Sequence, residues 1–396
     1  MPAITSRRHA IRLRAAAERH IRRGHPWVFD EALEQAPKDA QAGDLAVIFQ
    51  RRNRKFLGIG LYDPHSPIRI KMLHTGAPVT IDEAWFAERI RQAHELRRPL
   101  LESDTNAYRL LFGENDGLPG LIADVYAGVL VVKVYSSIWL PYLDLLVPIM
   151  EQQAATQTTV LRFARKVQPL TELQDGMILS GTLPDSNEVI FREYGVRFLA
   201  NPVRGHKTGF FLDHRQNRRR VGTLSQDKTV LDVFSYAGGF SVHALTGGAA
   251  RVTSIDISQP ALELAERNAA LNPYSGEYET LAADAFEILT RFVATGRRFD
   301  LVIIDPPALA KRQSEIVVAL KKYEELARLG GQLISPGGIL MLASCSSRIK
   351  AEEFYALNQR VLGGNFELLE QVGHDLDHPV SFAEGAYLKA GWYRLG

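Results

Sequence analysis

The segment "TVLDVFSYAGGFS" (229–241) gives the strongest indication of fold in the second half of this 396-residue chain. A short apolar run is followed at once by a glycine-containing turn, and a helical pattern begins after the turn. From here to residue 344, strand-like runs alternate with helical patterns. The later runs are "RVTSIDI" (251–257), "YETLAAD" (278–284), "FDLVIID" (299–305) and "GILMLAS" (338–344). This alternation predicts a parallel sheet with helices on both faces, which is an α/β fold.

Weaker patterns describe the rest of the chain. In residues 24–73, short β-like runs alternate with turn residues, which predicts a small β-barrel. The Arg-rich stretch before it could be helical or irregular. Thr80 is followed three residues later by Glu83, which predicts a capping box at the start of a helix over 80–101. Hairpins are predicted within residues 188–202 and 366–395.

Composition excludes several classes of protein. With 46% apolar residues and no apolar run of the roughly 20 residues that a membrane helix needs, the chain is expected to be globular and cytoplasmic. One cysteine allows no internal disulfide, and no Cys/His cluster has zinc spacing, so no metal is expected. Residues 1–75 carry 14 Lys and Arg against 7 Asp and Glu. This excess suits contact with nucleic acid, although solvated surface charge explains it equally well.

Four features follow four consecutive predicted strands. The glycine pair 238–239 lets the backbone approach a ligand closely. Asp256 ends the second strand, where an acid can accept hydrogen bonds from ribose hydroxyls. Asp284 follows the third strand, and "DPP" (305–307) follows the fourth. Either Asp256 or Asp284 alone could cap a helix. All four features in order favour a site for S-adenosylmethionine over one for a nicotinamide cofactor.

Cys345 is the single cysteine, and Ser344, Ser346 and Ser347 flank it. A free cysteine taken by itself is more often a buried packing residue. In the predicted sheet the fifth strand lies beside the fourth, so Cys345 and Asp305 are expected to face one pocket. A thiolate can add to C6 of a pyrimidine and leave again, which activates C5 for methylation. This interpretation makes Cys345 a nucleophile, while Asp305 bonds the N3 edge of a cytosine.

Seven segments resemble the RlmI-type 23S ribosomal RNA cytosine-C5 methyltransferases of bacteria, over nearly the whole chain. They are "RRGHPWVF" (22–29), "GENDGLPGLIADVY" (113–126), "GHKTGFFLDHRQNR" (205–218), "LDVFSYAGGFSVHAL" (231–245), "DPPAL" (305–309), "SCS" (344–346) and "DHPVSFAEGAYLKA" (377–390). The resemblance implies three domains. They are a PUA-like RNA-binding domain (1–75), a central α/β domain similar to that of RNA uridine methyltransferases (76–190), and a Rossmann-like class I methyltransferase domain (191–396).

The resemblance also implies roles for individual residues. Cys345 is implied as the nucleophile, and Asp305 is implied to act with it in catalysis. Contacts with S-adenosylmethionine are implied for a larger set: Lys207, Thr208, Phe210, Asp213, Arg215, Phe234, Ser235, Tyr236, Ala237, Gly238, Gly239, Phe240, Asp256, Ser258, Asp284, Ala285, Phe286, Asp305 and Pro306.

The expected partner is large-subunit ribosomal RNA, with no membrane, and the resemblance leaves a homodimer open. Two other functions remain open at this point. One is an RNA guanine methyltransferase that acts on an amino or ring nitrogen and needs no thiol. The other is a ribosome assembly factor that binds RNA and S-adenosylmethionine without catalysis. The basic segment 206–220 could be a solvated helix, or its Arg218 to Arg220 could contact RNA phosphates.

Overall fold

The computed structural model describes residues 7–396; the first six residues of the predicted domain 1–75 lie outside the described part. The strands are β1 (Arg8–Arg12), β2 (Trp27–Phe29), β3 (Leu45–Phe49), β4 (Phe56–Tyr62), β5 (Ile68–Thr75), β6 (Ala107–Phe112), β7 (Leu121–Tyr126), β8 (Val129–Val134), β9 (Thr158–Phe163), β10 (Met177–Ser180), β11 (Val189–Glu193), β12 (Val196–Ala200), β13 (Thr229–Val233), β14 (Arg251–Asp256), β15 (Glu277–Ala282), β16 (Phe299–Ile304), β17 (Ile334–Ser344), β18 (Phe366–Val372) and β19 (Lys389–Leu395). The α-helices are α1 (Ala15–Arg22), α2 (Glu83–Leu101), α3 (Leu143–Ala154), α4 (Arg215–Leu224), α5 (Gly239–Thr246), α6 (Gln259–Ala270), α7 (Ala285–Ala294), α8 (Ile316–Leu333) and α9 (Ala351–Leu362). Among residues 7–396, no helix combines the length and apolar character needed to cross a membrane.

The described residues form two compact units. The first contains residues up to Phe191 together with Ala200–Leu212 and Leu376–Gly385. The second contains Arg192–Leu199, Asp213–Asp375 and Ala386–Gly396. Two later segments thus group with the first unit, and the division into domains at 75 and 190 stays a prediction.

The first unit contains two five-stranded sheets. One has the order β1-β3-β4-β5-β2, with β1 parallel to β3 and the other neighbours antiparallel. Its apolar side chains, among them Ile11, Ile48 and Met72, enclose a small core. These strands confirm the predicted β-rich module. The Arg-rich stretch before it forms β1 and the short helix α1.

The other sheet of the first unit has the order β10-β9-β8-β7-β6. β8 and β9 are parallel because the chain crosses over through α3 between them. The start of α2 corrects the prediction: the N-cap is Asp82 and not Thr80. Oδ1 of Asp82 accepts the amide hydrogen of Trp85 at 2.9 Å. Asp82 directly precedes the first helical residue, so its carboxylate reaches the unpaired N–H groups of the first turn.

The second unit is built on a seven-stranded sheet with the order β15-β14-β13-β16-β17-β19-β18. β13 to β17 are parallel, β19 is antiparallel to β17, and β18 is antiparallel to β19. β13 lies between β14 and β16, so the strand order reverses beside it. In such sheets ligands bind beyond the carboxyl ends of the strands at this switch point. The predicted Rossmann-like α/β fold is confirmed.

Candidate active site

The turn after β13 has a strained backbone. Phe234 and Tyr236 have φ angles of 64° and 46°, in the left-handed region that bulky side chains rarely adopt. Gly238 has φ of 72°, and a Cβ atom there would lie 2.8 Å from Cβ of Ala265. Glycine at 238 therefore allows both the turn and the close approach of α6. Backbone strain of this kind concentrates at ligand sites, and this turn lies at the switch point of the sheet.

Asp256, at the carboxyl end of β14, holds the turn in this shape. Its Oδ2 accepts the amide hydrogen of Tyr236 at 2.9 Å, and its Oδ1 accepts that of Ser258 at 2.9 Å. Ser258 is the N-cap of α6. Ile257, between them, is 77% exposed. Ile257 was not predicted as a site residue, although its place directly after a strand-end acid was an available signal.

Asp284 follows β15 and caps α7. Its Oδ1 accepts the amide hydrogens of Phe286 at 2.9 Å and Glu287 at 3.2 Å. Ala285 is buried in the first turn of α7. The capping role considered for Asp284 is thus realised, and contact between residues 284–286 and S-adenosylmethionine stays a prediction.

The other predicted turn residues have structural partners within the second unit. The amide of Ser235 donates to the carbonyl of Ile255 at 3.0 Å. The carbonyl of Ala237 accepts from Nδ2 of Asn268 at 2.9 Å. Phe240 is buried in α5, which begins at Gly239. The turn is therefore held from β14 and α6.

Asp232 lies on β13 beneath the turn and is fully buried. Its Oδ2 accepts hydrogen bonds from the amide of Ser241 at 3.0 Å and from its hydroxyl at 2.6 Å, at the start of α5. Burial raises the pKa of Asp232 to about 7, although the bonds from Ser241 oppose the rise. Asp232 thus changes charge near neutral pH beneath the turn.

We expect Asp232→Asn to flatten the pH dependence of stability. The unfolded carboxyl titrates near its ordinary value of 3.8 and the folded one near about 7, so the folded state binds the proton more tightly. The contribution of Asp232 to the free energy of unfolding is therefore full at low pH and is lost as the pH rises through this window. Relative to wild type, the free energy of unfolding of the variant should increase by a few kcal/mol as the pH rises from about 4 to 7. Denaturant unfolding across this range measures the difference, and parallel curves for the two proteins would contradict the expectation.

Cys345 and Asp305 lie just beyond the carboxyl ends of two neighbouring parallel strands. Ile304 at the end of β16 pairs with Leu342 of β17, so both following loops begin at one edge of the sheet. Cys345 is partly buried, and its thiol contacts the carbonyl oxygen of Pro306 at 3.8 Å. Burial, together with Asp305 and Asp213, raises the pKa of Cys345 to about 12. The resting group is therefore a thiol and not a thiolate.

His214 lies beside Asp305, and its hydrogen bonds define which of its ring nitrogens carries the proton. Nε1 of Trp392 donates to Oδ1 of Asn217 at 3.1 Å, so the amide group of Asn217 turns its NH2 toward Nδ1 of His214 at 2.9 Å. Because that NH2 only donates, Nδ1 accepts, and the neutral ring carries its proton on Nε2. Nε2 lies 3.5 Å from Oδ1 of Asp305. Burial opposes the charged form of His214, but Asp305 outweighs it and raises the pKa of His214.

Comparisons with known proteins identify the family. A family model described as S-adenosylmethionine-dependent methyltransferase matches residues 109–383, and a PUA-like domain model matches residues 11–75. A ribosomal RNA large subunit methyltransferase of Deinococcus radiodurans is 45% identical, covering 100% of this chain and 99% of that protein. A ribosomal RNA large subunit methyltransferase I of Pseudoalteromonas atlantica is 34% identical, covering 96% of this chain and 97% of that protein. The chain belongs to the RlmI-type family of S-adenosylmethionine-dependent methyltransferases.

Solved structures agree with the fold of this RlmI-type enzyme. An S-adenosylmethionine-dependent methyltransferase from Streptococcus mutans has a TM-score of 0.81 at 20% identity, covering 98% of this chain and 100% of that one. A methyltransferase solved with S-adenosylhomocysteine bound has the same TM-score at 21% identity, with the same coverage. At this level of identity the likeness shows the fold alone.

Two predicted cofactor residues of the RlmI-type enzyme lie at the start of α4. Arg215 is its first residue, and Asp213 lies two residues before it. Oδ2 of Asp213 accepts the hydroxyl hydrogen of Tyr387 at 2.9 Å. Arg215 is 1% exposed, and its Nε lies 3.5 Å from the buried carboxylate of Glu193. Arg218 donates two hydrogen bonds of 2.7 Å to the same carboxylate. The hypothesis that Arg218 contacts RNA is therefore wrong for that residue, because its guanidinium is buried and bidentately paired.

Lys207, Thr208 and Phe210 belong to the first unit, where they have local partners. The hydroxyl of Thr208 donates to Oδ2 of Asp124 at 2.5 Å, and the amide of Phe210 donates to the hydroxyl of Tyr126 at 3.2 Å. The carbonyl of Lys207 accepts from Nζ of Lys133 at 2.7 Å. The side chains of Thr208 and Phe210 are buried. Contact of this segment with the cofactor stays a prediction.

Proposed function

We propose that this RlmI-type enzyme methylates C5 of a cytosine in large-subunit ribosomal RNA, with Cys345 as nucleophile. The observation that carries the proposal is the placement of Cys345 and Asp305 beyond two adjacent parallel strands, at the ligand-binding edge of the sheet. The relatives named above as large-subunit ribosomal RNA methyltransferases support the choice of substrate.

The residues at the switch point fit S-adenosylmethionine. The strained turn 234–240 brings backbone close to a ligand, Asp256 presents a carboxylate at the end of β14, and Ile257 offers an exposed apolar surface beside it. We assign the ribose to Asp256 and the adenine to Ile257 and the segment 284–286. When bound, the cofactor supplies an electrophilic methyl group and leaves as S-adenosylhomocysteine. We expect the pocket residues to orient the methyl group without forming covalent bonds to the cofactor.

Cys345 supplies the electron pair that activates the base. Its thiol loses a proton and its sulfur bonds to C6 of the cytosine, which places electron density on C5. C5 then takes the methyl group and later loses its own proton to water. As the C5–C6 double bond forms again, the sulfur leaves C6, and the proton on N3 returns through Asp305 to restore the thiol. Because the thiol of Cys345 has a pKa of about 12 in the folded protein, the proton must pass to an acceptor as the sulfur attacks.

Asp305 is the group that we assign to the polar edge of the cytosine. As a carboxylate it can accept the thiol proton and pass it to N3, which makes the ring a better target for addition. Nε2 of His214 lies 3.5 Å from Oδ1 of Asp305. His214 approaches only this one carboxylate oxygen, so we assign the other, Oδ2, to the base.

We propose that the basic segment of the first unit, residues 7–75, binds RNA. Arg52 and Arg54 are exposed in the loop between β3 and β4. We expect the double substitution of both by glutamine to weaken RNA binding and to reduce its salt dependence. Each lost phosphate contact with a single strand should lower the slope of log K against log salt by roughly 0.7. Fluorescence anisotropy of the full chain at several salt concentrations measures this slope.

A matched control is the double substitution of Lys228 and Arg298 by glutamine. Both side chains are exposed and precede the amino ends of β13 and β16, on the edge of the sheet opposite the site. This control removes the same charge and should leave the slope unchanged. Equal slopes for both double variants would contradict RNA binding at the loop between β3 and β4.

Identification of the methylated nucleoside tests the proposed function. The enzyme is incubated with tritiated S-adenosylmethionine and ribosomal RNA from a strain that lacks this gene, and the RNA is digested to nucleosides. We expect the label in 5-methylcytidine. Label on a guanine nitrogen would instead support an RNA guanine methyltransferase. Absence of transfer by a protein that binds both RNA and cofactor would support an assembly factor.

A further inference from the structure

Lys389 is a buried lysine that donates hydrogen bonds to the loop carrying Cys345. It is 2% exposed and lies at the start of β19, directly opposite Ser344 in the antiparallel pair of β17 and β19. Its ammonium donates to the carbonyl oxygens of Ser346 at 2.6 Å, Ile349 at 2.8 Å and Tyr387 at 3.1 Å. An ammonium has three N–H donors, so all three are used.

Ser346 joins this loop to the loop that follows Asp305. Its hydroxyl oxygen accepts the amide hydrogens of Leu309 at 3.0 Å and Ala310 at 3.3 Å. It also lies 3.1 Å from the hydroxyl of Tyr323, to which the hydroxyl of Ser344 donates at 2.9 Å. Ser344 and Ser346 are both fully buried. Ser346 therefore bonds Lys389 through its carbonyl and the loop after Asp305 through its hydroxyl.

The charges around Cys345 oppose its ionisation except at Lys389. The carboxylates of Asp305 and Asp213 act against a thiolate, as burial does, whereas the Lys389 ammonium favours it. The hydroxyl of Tyr323, from α8, is the further titratable group that faces Cys345. Burial lowers the pKa of Lys389 to about 8, so its charge is present at neutral pH.

We propose that Lys389 is a positioning residue of the methyl transfer reaction. It fixes the Cys345 loop against the loop of Asp305 through Ser346, and its positive charge stabilises the sulfur anion. This inference rests on the proposed function, in which Cys345 is the nucleophile. Lys389, on β19, thus joins the residues on which the reaction depends, although it does not touch the base.

The single cysteine of the chain allows a direct test. Alkylation by iodoacetamide reports the thiolate of Cys345 alone, in the full-length protein and without RNA. We expect Lys389→Gln to lower the alkylation rate about tenfold below about pH 8, where Lys389 carries its charge, and to have little effect at higher pH, because no nearby cation is lost there. Lys389→Arg keeps the charge and should recover most of the rate. Lys350→Gln, an exposed lysine at the start of α9, is the matched control and should alkylate as wild type does.

Ser346→Ala separates anchoring from charge. It removes the hydroxyl that joins the two loops and leaves Lys389 in place. We expect its alkylation rates to stay within about twofold of wild type, while kcat for methyl transfer falls about tenfold with little change in KM for RNA. This variant also keeps the anchoring part testable if Lys389→Gln does not fold.

The outcomes distinguish this inference from the proposed function. A folded Lys389→Gln with the alkylation profile and kcat of Lys350→Gln would overturn the role of Lys389. A Ser346→Ala enzyme with wild-type kcat would overturn the anchoring role. If Cys345→Ala still transferred methyl groups, the proposed function itself would fail, whatever the alkylation rates of the lysine variants.

Discussion

Replacement of Cys345 by alanine is expected to reduce methyl transfer to RNA at least about a thousandfold, because the covalent route to an activated C5 is lost. Binding of S-adenosylmethionine should stay within about twofold of wild type, since we assign the cofactor to β13, β14 and β15 and not to Cys345. Tritium transfer under single-turnover conditions measures the first effect, and calorimetric titration measures the second.

The exposed neighbour Ser347 provides the control for this substitution. Ser347→Ala should transfer methyl groups at the wild-type rate. RNA containing 5-fluorocytidine should trap the wild-type enzyme in a complex that survives denaturing electrophoresis, because fluorine at C5 blocks release of the sulfur. Cys345→Ala should form no such complex. Undiminished transfer by Cys345→Ala would make Cys345 a packing residue and return the site to nitrogen chemistry.

Asp305→Asn is the second substitution with a large expected effect. The amide keeps the size of the side chain but cannot take the thiol proton and deliver it to N3, so kcat should fall by a factor of about 100 to 10,000. The KM for RNA should change little, because we expect phosphate contacts elsewhere to supply most of the affinity. Steady-state kinetics with a saturating cofactor concentration separates the two parameters.

Asp300 lies at the other end of β16 and gives a matched control. Its Oδ2 accepts hydrogen bonds from the amide and hydroxyl of Thr229, at the amino end of the sheet. Asp300→Asn should retain wild-type kcat, with its effect confined to stability. An Asp305→Asn enzyme with the kcat of Asp300→Asn would remove Asp305 from the proposed reaction.

The sequence predicted the second unit well because its signals are local. Each strand from β13 to β17 is a short apolar run, and the order of strands and helices restricts the topology to a few sheets. Two of the elements that were not predicted have clear physical reasons. β1 carries an arginine at each end and becomes a strand only by pairing with β3, and α9 follows a loop without a strong N-cap signal. In α2, Asp82 competes with Thr80 for the N-cap position and prevails.

The sequence could predict only those residues of the candidate site that come at or directly after the end of a strand. Asp256 and Asp284 were found in this way, and the structure shows both bonding backbone amides at helix starts or in the turn. Lys389 and Trp392 carry no such signal, because they reach the site from β19 by cross-strand pairing. The burial of Arg218 also depends on a distant partner, Glu193, which no local pattern reveals.

The position of β19 has a consequence for biosynthesis. This strand follows β18 in chain order, yet it lies inside the sheet between β17 and β18. A nascent chain that has not yet been translated through residues 389–395 can therefore pair β13 to β17 but leaves β18 without its neighbour. The ammonium that bonds the loop after Cys345 also arrives with this strand. The loop that carries Cys345 thus acquires its fixed geometry only after β19 has followed β13 to β18 out of the ribosome.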